Sequence, residues 1–415
     1  MCFRNTNRVS DGTKPHSQDE ETYHLSIVEE VNSQIGITWK ARYNKFASRA
    51  EATTGTGTSD TDTARLILKK FFNLDDSQLL QDTVTHIEDL WKVKKPIPKS
   101  FDVRTAWPKC WAVHQIFNQA GCGSCWSVAA TSVMSDRVCI KSNGTLQTQI
   151  SALDLTSCCL SCGGLEAFAH ELLRIPIPYV FLGVKGHIGL YQLSHIGRNT
   201  GLFQHLNKAY VGGAFGTHEG CRPYTFEPSC GTPCGPSLYR KERTPRCERH
   251  CQSLYHKTYE QDLVQGKSEG FRIIQKKTIP FYAFYKKRVQ ARKAYWLRAI
   301  NGSSEYTPIV KTTLQKLIDG KITEILQREL MTYGPVLACF TLYEDFQHYM
   351  SGIYKTDETR SLQLYGHCAK LLGWGEQGGV KYWLYANTWG RDWGENGFFR
   401  VDMNEIPEEV VAGVL

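Results

Sequence analysis

The stretch Gln119-Ala-Gly-Cys-Gly-Ser-Cys-Trp126 decides how the rest of the chain is interpreted. Small and apolar residues follow it at helical spacing, so we expect a helix with Ser124 at its N-cap and Cys125 in its first turn. A thiol at the amino end of a helix feels the positive end of the helix dipole, which favours the thiolate. Cys125 is therefore the candidate nucleophile. The competing interpretation takes Cys122 and Cys125 as a Cys-x-x-Cys disulfide or metal pair.

A thiol nucleophile needs a base, and the base needs a group that orients it. Two later segments offer both: Tyr365-Gly-His-Cys-Ala-Lys-Leu-Leu-Gly-Trp-Gly375 contains His367, and Tyr382-Trp-Leu-Tyr-Ala-Asn-Thr-Trp-Gly390 contains Asn387. Alternating apolar residues in the second segment predict a strand over 381–386. We expect the chain to bring both residues to Cys125.

Together the three segments resemble those that carry the nucleophile, the histidine and the asparagine in papain-like cysteine peptidases. The resemblance implies an ion pair between Cys125 and His367, with Asn387 orienting the imidazole and Trp389 shielding that contact from water. It also implies an oxyanion hole formed by Gln119 and the backbone N–H of Cys125.

Further segments narrow the resemblance to cathepsin B-like peptidases. They are Thr38–Ala41, Ser100–Cys110, Gly220–Tyr224, Gly394–Phe399 and Glu409–Gly413. The resemblance implies an α+β, two-lobed fold with a helical left domain, a β-barrel-like right domain and the active site in the cleft between them. It also implies substrate-binding roles for Gly163, Gly164, Trp389 and Glu409.

The implied organisation has three parts. Residues 1–99 are expected to be an inhibitory propeptide, with helical candidates at His24–Ile37 and Ala64–Leu80 separated by a flexible Thr/Gly/Ser/Asp tract. The left domain spans 100–250 with an unmatched insertion at about 171–208. The right domain spans 251–415 with an unmatched insertion at about 275–320. These insertions are either lineage-specific or wrongly included sequence.

The chain departs from cathepsin B in its occluding loop. Cathepsin B carries two adjacent histidines there that bind a substrate's C-terminal carboxylate, whereas only Gly-Thr-Pro stands between Cys230 and Cys234. We therefore expect endopeptidase action.

The resemblance also implies disulfide bonds. The expected pairs are Cys110–Cys139, Cys158–Cys247, Cys221–Cys251 and Cys230–Cys234. One partner is missing near Gly163, so two pairings stay open: Cys162 bonds Cys159 and leaves Cys122 unpaired, or Cys162 bonds Cys122 and leaves Cys159 unpaired.

Fifteen cysteines among 415 residues indicate an oxidising compartment. We therefore expect a lysosomal or extracellular protein. No signal peptide is recognisable in the first 30 residues, and this expectation therefore requires that the N-terminus is incomplete or wrongly started. No apolar run is long enough to span a bilayer.

The formal net charge of +8 comes from one short stretch of the chain. Residues 271–300 carry nine Lys or Arg and no acid, which leaves 40 basic against 41 acidic residues elsewhere. A fold with a near-neutral body does not favour nucleic-acid binding, and a solvated insert is a better interpretation of the basic tract than a lipid, glycan or nucleic-acid site.

The function that follows is cysteine-type peptide hydrolysis by a monomer made as a zymogen. The expected partners are peptide or protein substrates, its own propeptide and cystatin-like inhibitors, with no cofactor or metal. Two alternatives belong to other classes. One is a catalytically inactive homologue that binds peptides or inhibitors. The other is a zinc site built from Cys230, Cys234, Cys247 and Cys251.

Overall fold

The computed structural model describes residues 18–49, 76–158, 211–228, 245–262, 293–298, 320–407 and 409–414. The helices in these ranges are α1 (Gln18–Ser33), α2 (Asp76–Lys92), α3 (Val103–Ala106), α4 (Cys125–Lys141), α5 (Ala152–Cys158), α6 (Tyr259–Asp262) and α7 (Ile322–Tyr333). The strands are β1 (Trp39–Ala41), β2 (Phe101–Asp102), β3 (Lys293–Arg298), β4 (Val336–Tyr343), β5 (Tyr349–Tyr354), β6 (Gln363–Gln377), β7 (Val380–Ala386), β8 (Phe398–Asp402) and β9 (Glu409–Val414).

The strands form one sheet in the order β1-β5-β8-β7-β6-β4-β9-β3, and β2 pairs with β6 outside this path. The β5–β8 pair is parallel and the other pairs are antiparallel. Helices come first along the chain and most strands follow, so the α+β class is confirmed. The strand expected over 381–386 is β7.

Helix α4 is the central helix of the fold. Every residue from Cys125 to Cys139 is buried, as expected of a helix enclosed by protein on all sides. Two of its hydroxyl side chains bond carbonyls one turn back, Thr131 to Ser127 and Ser135 to Thr131. These bonds satisfy polar groups that have no access to water.

Two glycines are required in the long β6–β7 hairpin. Gly378 and Gly379 have φ of 60° and 79°, the left-handed pair typical of a tight hairpin turn. Farther along β6, a Cβ on Gly373 would lie 2.0 Å from the carbonyl oxygen of Phe101, so only glycine lets β2 approach this strand.

The N-terminal segment, defined as residues 18–49 and 76–99, packs onto the sheet. Strand β1 pairs with β5, and the ring of Trp39 contacts the rings of Tyr349 and Tyr354 at centroid distances of 6.2 Å and 5.0 Å. Ile87 and Leu90 of α2 are fully buried in the same core. The segment therefore completes the main hydrophobic core of the protein.

The helices of the N-terminal segment differ in extent from the sequence expectation. Helix α1 begins at Gln18 and ends at Ser33, a few residues ahead of the expected His24–Ile37. Helix α2 extends to Lys92, well past the expected end at Leu80, and residues 64–75 lie outside the described part. Within the described ranges, no helix is both long and apolar enough to span a membrane.

The two expected insertions remain predictions. Residues 171–208 lie outside the described part. Of 275–320, the structure describes 293–298 as β3, which pairs antiparallel with β9, and Gly320 in the turn before α7.

Candidate active site

Cys125 is the first residue of α4, with Ser124 at the N-cap. The Ser124 side chain makes no capping bond, because its hydroxyl instead lies 2.6 Å from the hydroxyl of Tyr224. Among the described cysteines, Cys125 is the free one, and it is buried with 9 % of its surface exposed. The thiol thus lies at the positive end of the helix dipole.

His367 of β6 and Asn387, directly after β7, are held together by a hydrogen bond. The imidazole Nε2 lies 2.8 Å from the amide Oδ1 of Asn387, and the backbone N–H of Thr388 donates to the same oxygen at 2.8 Å. A backbone N–H can only donate, so the atom that faces it must be the amide oxygen. His367 Nε2 therefore carries a proton and donates it to Asn387, which leaves Nδ1 as the basic nitrogen.

The pKa of the Cys125 thiol reflects two opposed effects. Burial raises it, because an anion loses solvation inside the protein. The hydrogen bond and charge of His367 and the backbone N–H of Cys368 lower it, and together they prevail. The net pKa lies below that of an ordinary thiol, so the thiolate that attacks carbonyl carbon is favoured.

Gln119 is fixed in the loop that precedes α4. Its side-chain amide donates to the carbonyl of Cys122 at 2.9 Å, and its Oε1 accepts from the Thr388 hydroxyl at 2.5 Å. The next residue, Ala120, has φ of 54°, a left-handed conformation that is uncommon outside glycine. The amide has two N–H groups and uses one here, which leaves one as a donor for a substrate oxygen.

Trp389 covers the histidine. Its ring centroid lies 4.8 Å from that of His367, and the side chain is 1 % exposed. A backbone bridge joins Trp389 to Asn118, next to Gln119. The loop after β7 is thereby tied to the loop before α4, so the histidine, the asparagine and the glutamine belong to one connected unit.

Three of the expected substrate-binding positions cannot be placed in this site. Gly163 and Gly164 lie outside the described residues, as does the side chain of Glu409. The backbone of Glu409 begins β9, opposite Cys339 of β4. The occluding-loop segment from 229 to 244 is also outside the described part.

The structure contains three of the expected disulfides: Cys110–Cys139, Cys158–Cys247 and Cys221–Cys251. Cys122 is also disulfide-bonded, so the alternative that leaves it unpaired is wrong. Cys159, Cys162, Cys230 and Cys234 lie outside the described residues.

The zinc alternative is wrong for a chemical reason. Cys247 and Cys251 are both in disulfides, and a disulfide sulfur has no thiolate to offer a metal. In the described part of the chain, no group of three or more His, Cys, Asp or Glu could hold a metal ion.

The disulfide Cys339–Cys368 is not among the bonds expected from the sequence. It joins β4 to β6 directly after the histidine. The signal in the sequence was weak, because two cysteines 29 positions apart reveal a bond only when the pairing of their strands is known.

Comparison with known protein families shows which family the chain belongs to. The family described as "Papain family cysteine protease" matches residues 97–277 and 275–412. The chain belongs to the papain family of cysteine proteases.

Within the papain family, the similar curated proteins are cathepsin B-like. "Cathepsin B-like cysteine proteinase 3" of Caenorhabditis elegans is 38 % identical over 327 residues, which cover 78 % of this chain and 67 % of the relative. "Cathepsin B-like cysteine proteinase" of Schistosoma japonicum is 31 % identical over 372 residues, covering 83 % of this chain and 84 % of the relative. The resemblance to cathepsin B-like papain-family proteases is confirmed.

A solved structure supports the papain-like fold. "proCathepsin B S9 from Trypanosoma congolense" superposes with a TM-score of 0.52 at 22 % identity, covering 94 % of this chain and 97 % of that one. At this identity the match bears on the fold alone.

Proposed function

We propose that the chain hydrolyses peptide bonds through the Cys125 thiolate and is made as an inactive precursor. The observation that carries the proposal is the chain of contacts from Asn387 through His367 to Cys125. It combines a nucleophile with a depressed pKa, a base in a defined tautomer and an orienting amide, which are the parts that acyl transfer requires.

The first half of the reaction forms a thioester. The sulfur of Cys125 attacks the peptide carbonyl carbon, and the negative charge moves onto the carbonyl oxygen. The free N–H of Gln119 and the backbone N–H of Cys125 stabilise that oxygen. The carbon–nitrogen bond then breaks, and His367 donates its Nδ1 proton to the departing amine.

The second half returns the enzyme to its starting state. His367, now neutral, takes a proton from water, and the resulting hydroxide attacks the thioester carbon. Cleavage of the carbon–sulfur bond releases the acid and regenerates the thiolate beside the imidazolium. Trp389 keeps water away from the bond between His367 and Asn387, so the ring retains its orientation through both halves.

The N-terminal segment is proposed to be the inhibitory propeptide. His86 of α2 lies 2.7 Å from Glu329 of α7, whose other carboxylate oxygen lies 2.6 Å from Arg137 of α4. All three side chains are buried. A segment held by such a network and by the shared core leaves only after proteolysis, in agreement with the family match, which begins at residue 97.

The proposed mode is endopeptidase action, supported by the absence of adjacent histidines between Cys230 and Cys234. The four disulfides whose two cysteines both lie in the described part of the chain support a lysosomal or extracellular location. We also propose that the protein is a monomer and that cystatin-like inhibitors bind it.

The experiment compares the parent chain with Cys125→Ala on an internally quenched peptide, after removal of the N-terminal segment with a trace of protease. The parent is expected to cleave the peptide and to bind one equivalent of an epoxysuccinyl inhibitor at Cys125, and the variant to do neither. Turnover by Cys125→Ala overturns the mechanism. A parent that neither cleaves nor reacts identifies the chain as an inactive homologue.

The endopeptidase mode has a separate readout. The same peptide is offered with a free C-terminal carboxylate and with a C-terminal amide. Similar rates for the two support an endopeptidase. A strong preference for the free carboxylate, with release of dipeptides, contradicts this part of the proposal.

A further inference from the structure

The disulfide Cys339–Cys368 lies at the catalytic histidine. It joins residues that are direct partners in the β4–β6 ladder, and the next pair along the ladder is Phe340 and His367. The ring of Phe340 packs edge-on against that of His367, with centroids 5.7 Å apart. Cys339 is 3 % exposed and Cys368 is fully buried.

The same disulfide also adjoins the nucleophile. The backbone N–H of Cys368 interacts with the Cys125 sulfur. Side chains two positions apart on a strand share a face of the sheet, so Cys368 shares its face with Lys370. Lys370 bonds Asp136 of α4 at 2.7 Å, so the disulfide lies on the sheet face that packs on the helix beginning with Cys125.

The pairing of β6 is irregular on both sides of His367. Between β4 and β6 the register shifts at Leu342/Tyr343, and between β6 and β7 it shifts at Leu371/Gly373. A slip of one residue in an antiparallel pair turns every side chain to the opposite face. The part of β6 that carries His367 therefore lies between an irregularity in its pairing with β4 and an irregularity in its pairing with β7.

A covalent link fixes the register at this point. With Cys339 bonded to Cys368, the strands cannot slide past each other, and His367 must stay opposite Phe340 and beneath Trp389. The link also holds the peptide between residues 367 and 368, whose N–H faces Cys125.

We propose that the Cys339–Cys368 disulfide is a positioning element of the active site, which fixes the β4–β6 register so that the His367 ring and the Cys368 backbone N–H both face Cys125. The inference rests on the proposed role of Cys125 as nucleophile. It goes beyond that role because it assigns part of the thiol's activation to a bond that touches neither substrate nor the reacting atoms.

A disulfide that merely stabilised the fold would behave differently, and the chain offers a matched control. Cys110–Cys139 has the same sequence separation, 29 residues, so both bonds constrain the unfolded chain to the same extent in the chain-entropy account. Cys139 lies near the far end of α4, almost four turns from Cys125. Only the bond at His367 should influence the thiol.

The test measures the pH dependence of Cys125 alkylation by iodoacetamide in three chains, each made at full length and then freed of the N-terminal segment by a trace of protease, with the label assigned to Cys125 by peptide mass spectrometry. The chains are the parent, Cys339→Ala/Cys368→Ala and Cys110→Ala/Cys139→Ala. In the first double variant we expect the midpoint of the profile to rise by about one pH unit, so that the rate at any pH well below the parental midpoint falls about tenfold. The control variant should keep the parental midpoint.

Each outcome decides a different point. Equal shifts in both variants, or no shift in Cys339→Ala/Cys368→Ala, overturn the positioning role while leaving the proposed function intact. A parent chain in which Cys125 is not alkylated after removal of the N-terminal segment contradicts the proposed function itself. If circular dichroism shows that the double alanine variant does not fold, it is replaced by Cys339→Val/Cys368→Ala, in which valine restores the lost side-chain volume.

Discussion

His367 donates a hydrogen bond from Nε2 to Oδ1 of Asn387 over 2.8 Å, and both side chains are buried. The backbone N–H of Thr388 fixes the identity of the accepting atom and hence the tautomer of the imidazole. The proton arrangement of the site is thus determined by a main-chain group outside the three proposed catalytic residues.

Replacing Asn387 by Ala should lower kcat about 10²-fold, because the imidazole loses the acceptor that holds its ring and a small misplacement of a catalytic group has an effect of this size. The measurement is steady-state kinetics of the processed enzyme. Asn404→Ala, in the exposed turn after β8, is the matched control and should leave kcat unchanged. Equal kcat values for the two variants contradict the orienting role.

Gln119→Glu should lower kcat by about 10²–10³-fold with little change in KM, because it replaces the N–H donors by oxygen in a side chain of similar shape. Gln147→Glu is the control, since Gln147 also donates its amide to a backbone carbonyl but lies in an exposed loop. An increase in KM at constant kcat would show that Gln119 binds the ground state and the transition state equally.

Lys370→Met should destabilise the fold by about 3–5 kcal/mol near neutral pH, because it leaves Asp136 as a buried charge without its cation. Burial raises the pKa of Asp136 to about 6 even though Lys370 opposes this rise. Without Lys370 that pKa rises further, so below pH 6 the carboxyl is protonated in the fold and the loss of stability shrinks.

The measurement is the free energy of unfolding of both chains by denaturant between about pH 4 and pH 7. The double variant Asp136→Leu/Lys370→Met, which removes both charges, should recover much of the stability. A destabilisation of Lys370→Met that does not vary with pH excludes Asp136 as its cause.

Trp39→Ala should speed removal of the N-terminal segment, because truncating a buried Trp weakens packing by about 3–5 kcal/mol. The substitution is made in a Cys125→Ala background to prevent self-cleavage, and a trace of active protease is added. A gel time course reports the conversion. Ile35→Ala is the control, since Ile35 lies in the same segment but is fully exposed. Identical time courses argue against a shared core as the anchor.

The proposed catalytic residues could be found in the sequence because each lies in a short motif of neighbouring residues. The helix start at Cys125 and the strand Val380–Ala386 depend on neighbouring residues, and the structure has both. The role of Ser124 was less predictable. Its position as N-cap follows from the chain, but its hydroxyl bonds Tyr224, 100 positions away, which no local pattern reveals.

Contacts between distant segments could not be predicted. The network of His86, Glu329 and Arg137 and the bond between Cys339 and Cys368 depend on strand register and helix docking. Helix α2 shows the same effect in its boundaries. The helix was predicted to end at Leu80, but it continues to Lys92. Ile87 and Leu90, in this additional part, are buried in a core built mostly by distant segments.

The distance along the chain between the sulfur and its imidazole has a consequence for biosynthesis. His367 is added 242 positions after Cys125. At about 5–20 residues per second, the ribosome makes Cys125 roughly 10–50 s before its partner exists. Throughout that interval the nascent polypeptide has no imidazole to pair with the sulfur, so the proposed thiolate–imidazolium pair cannot form until β6 has been synthesised.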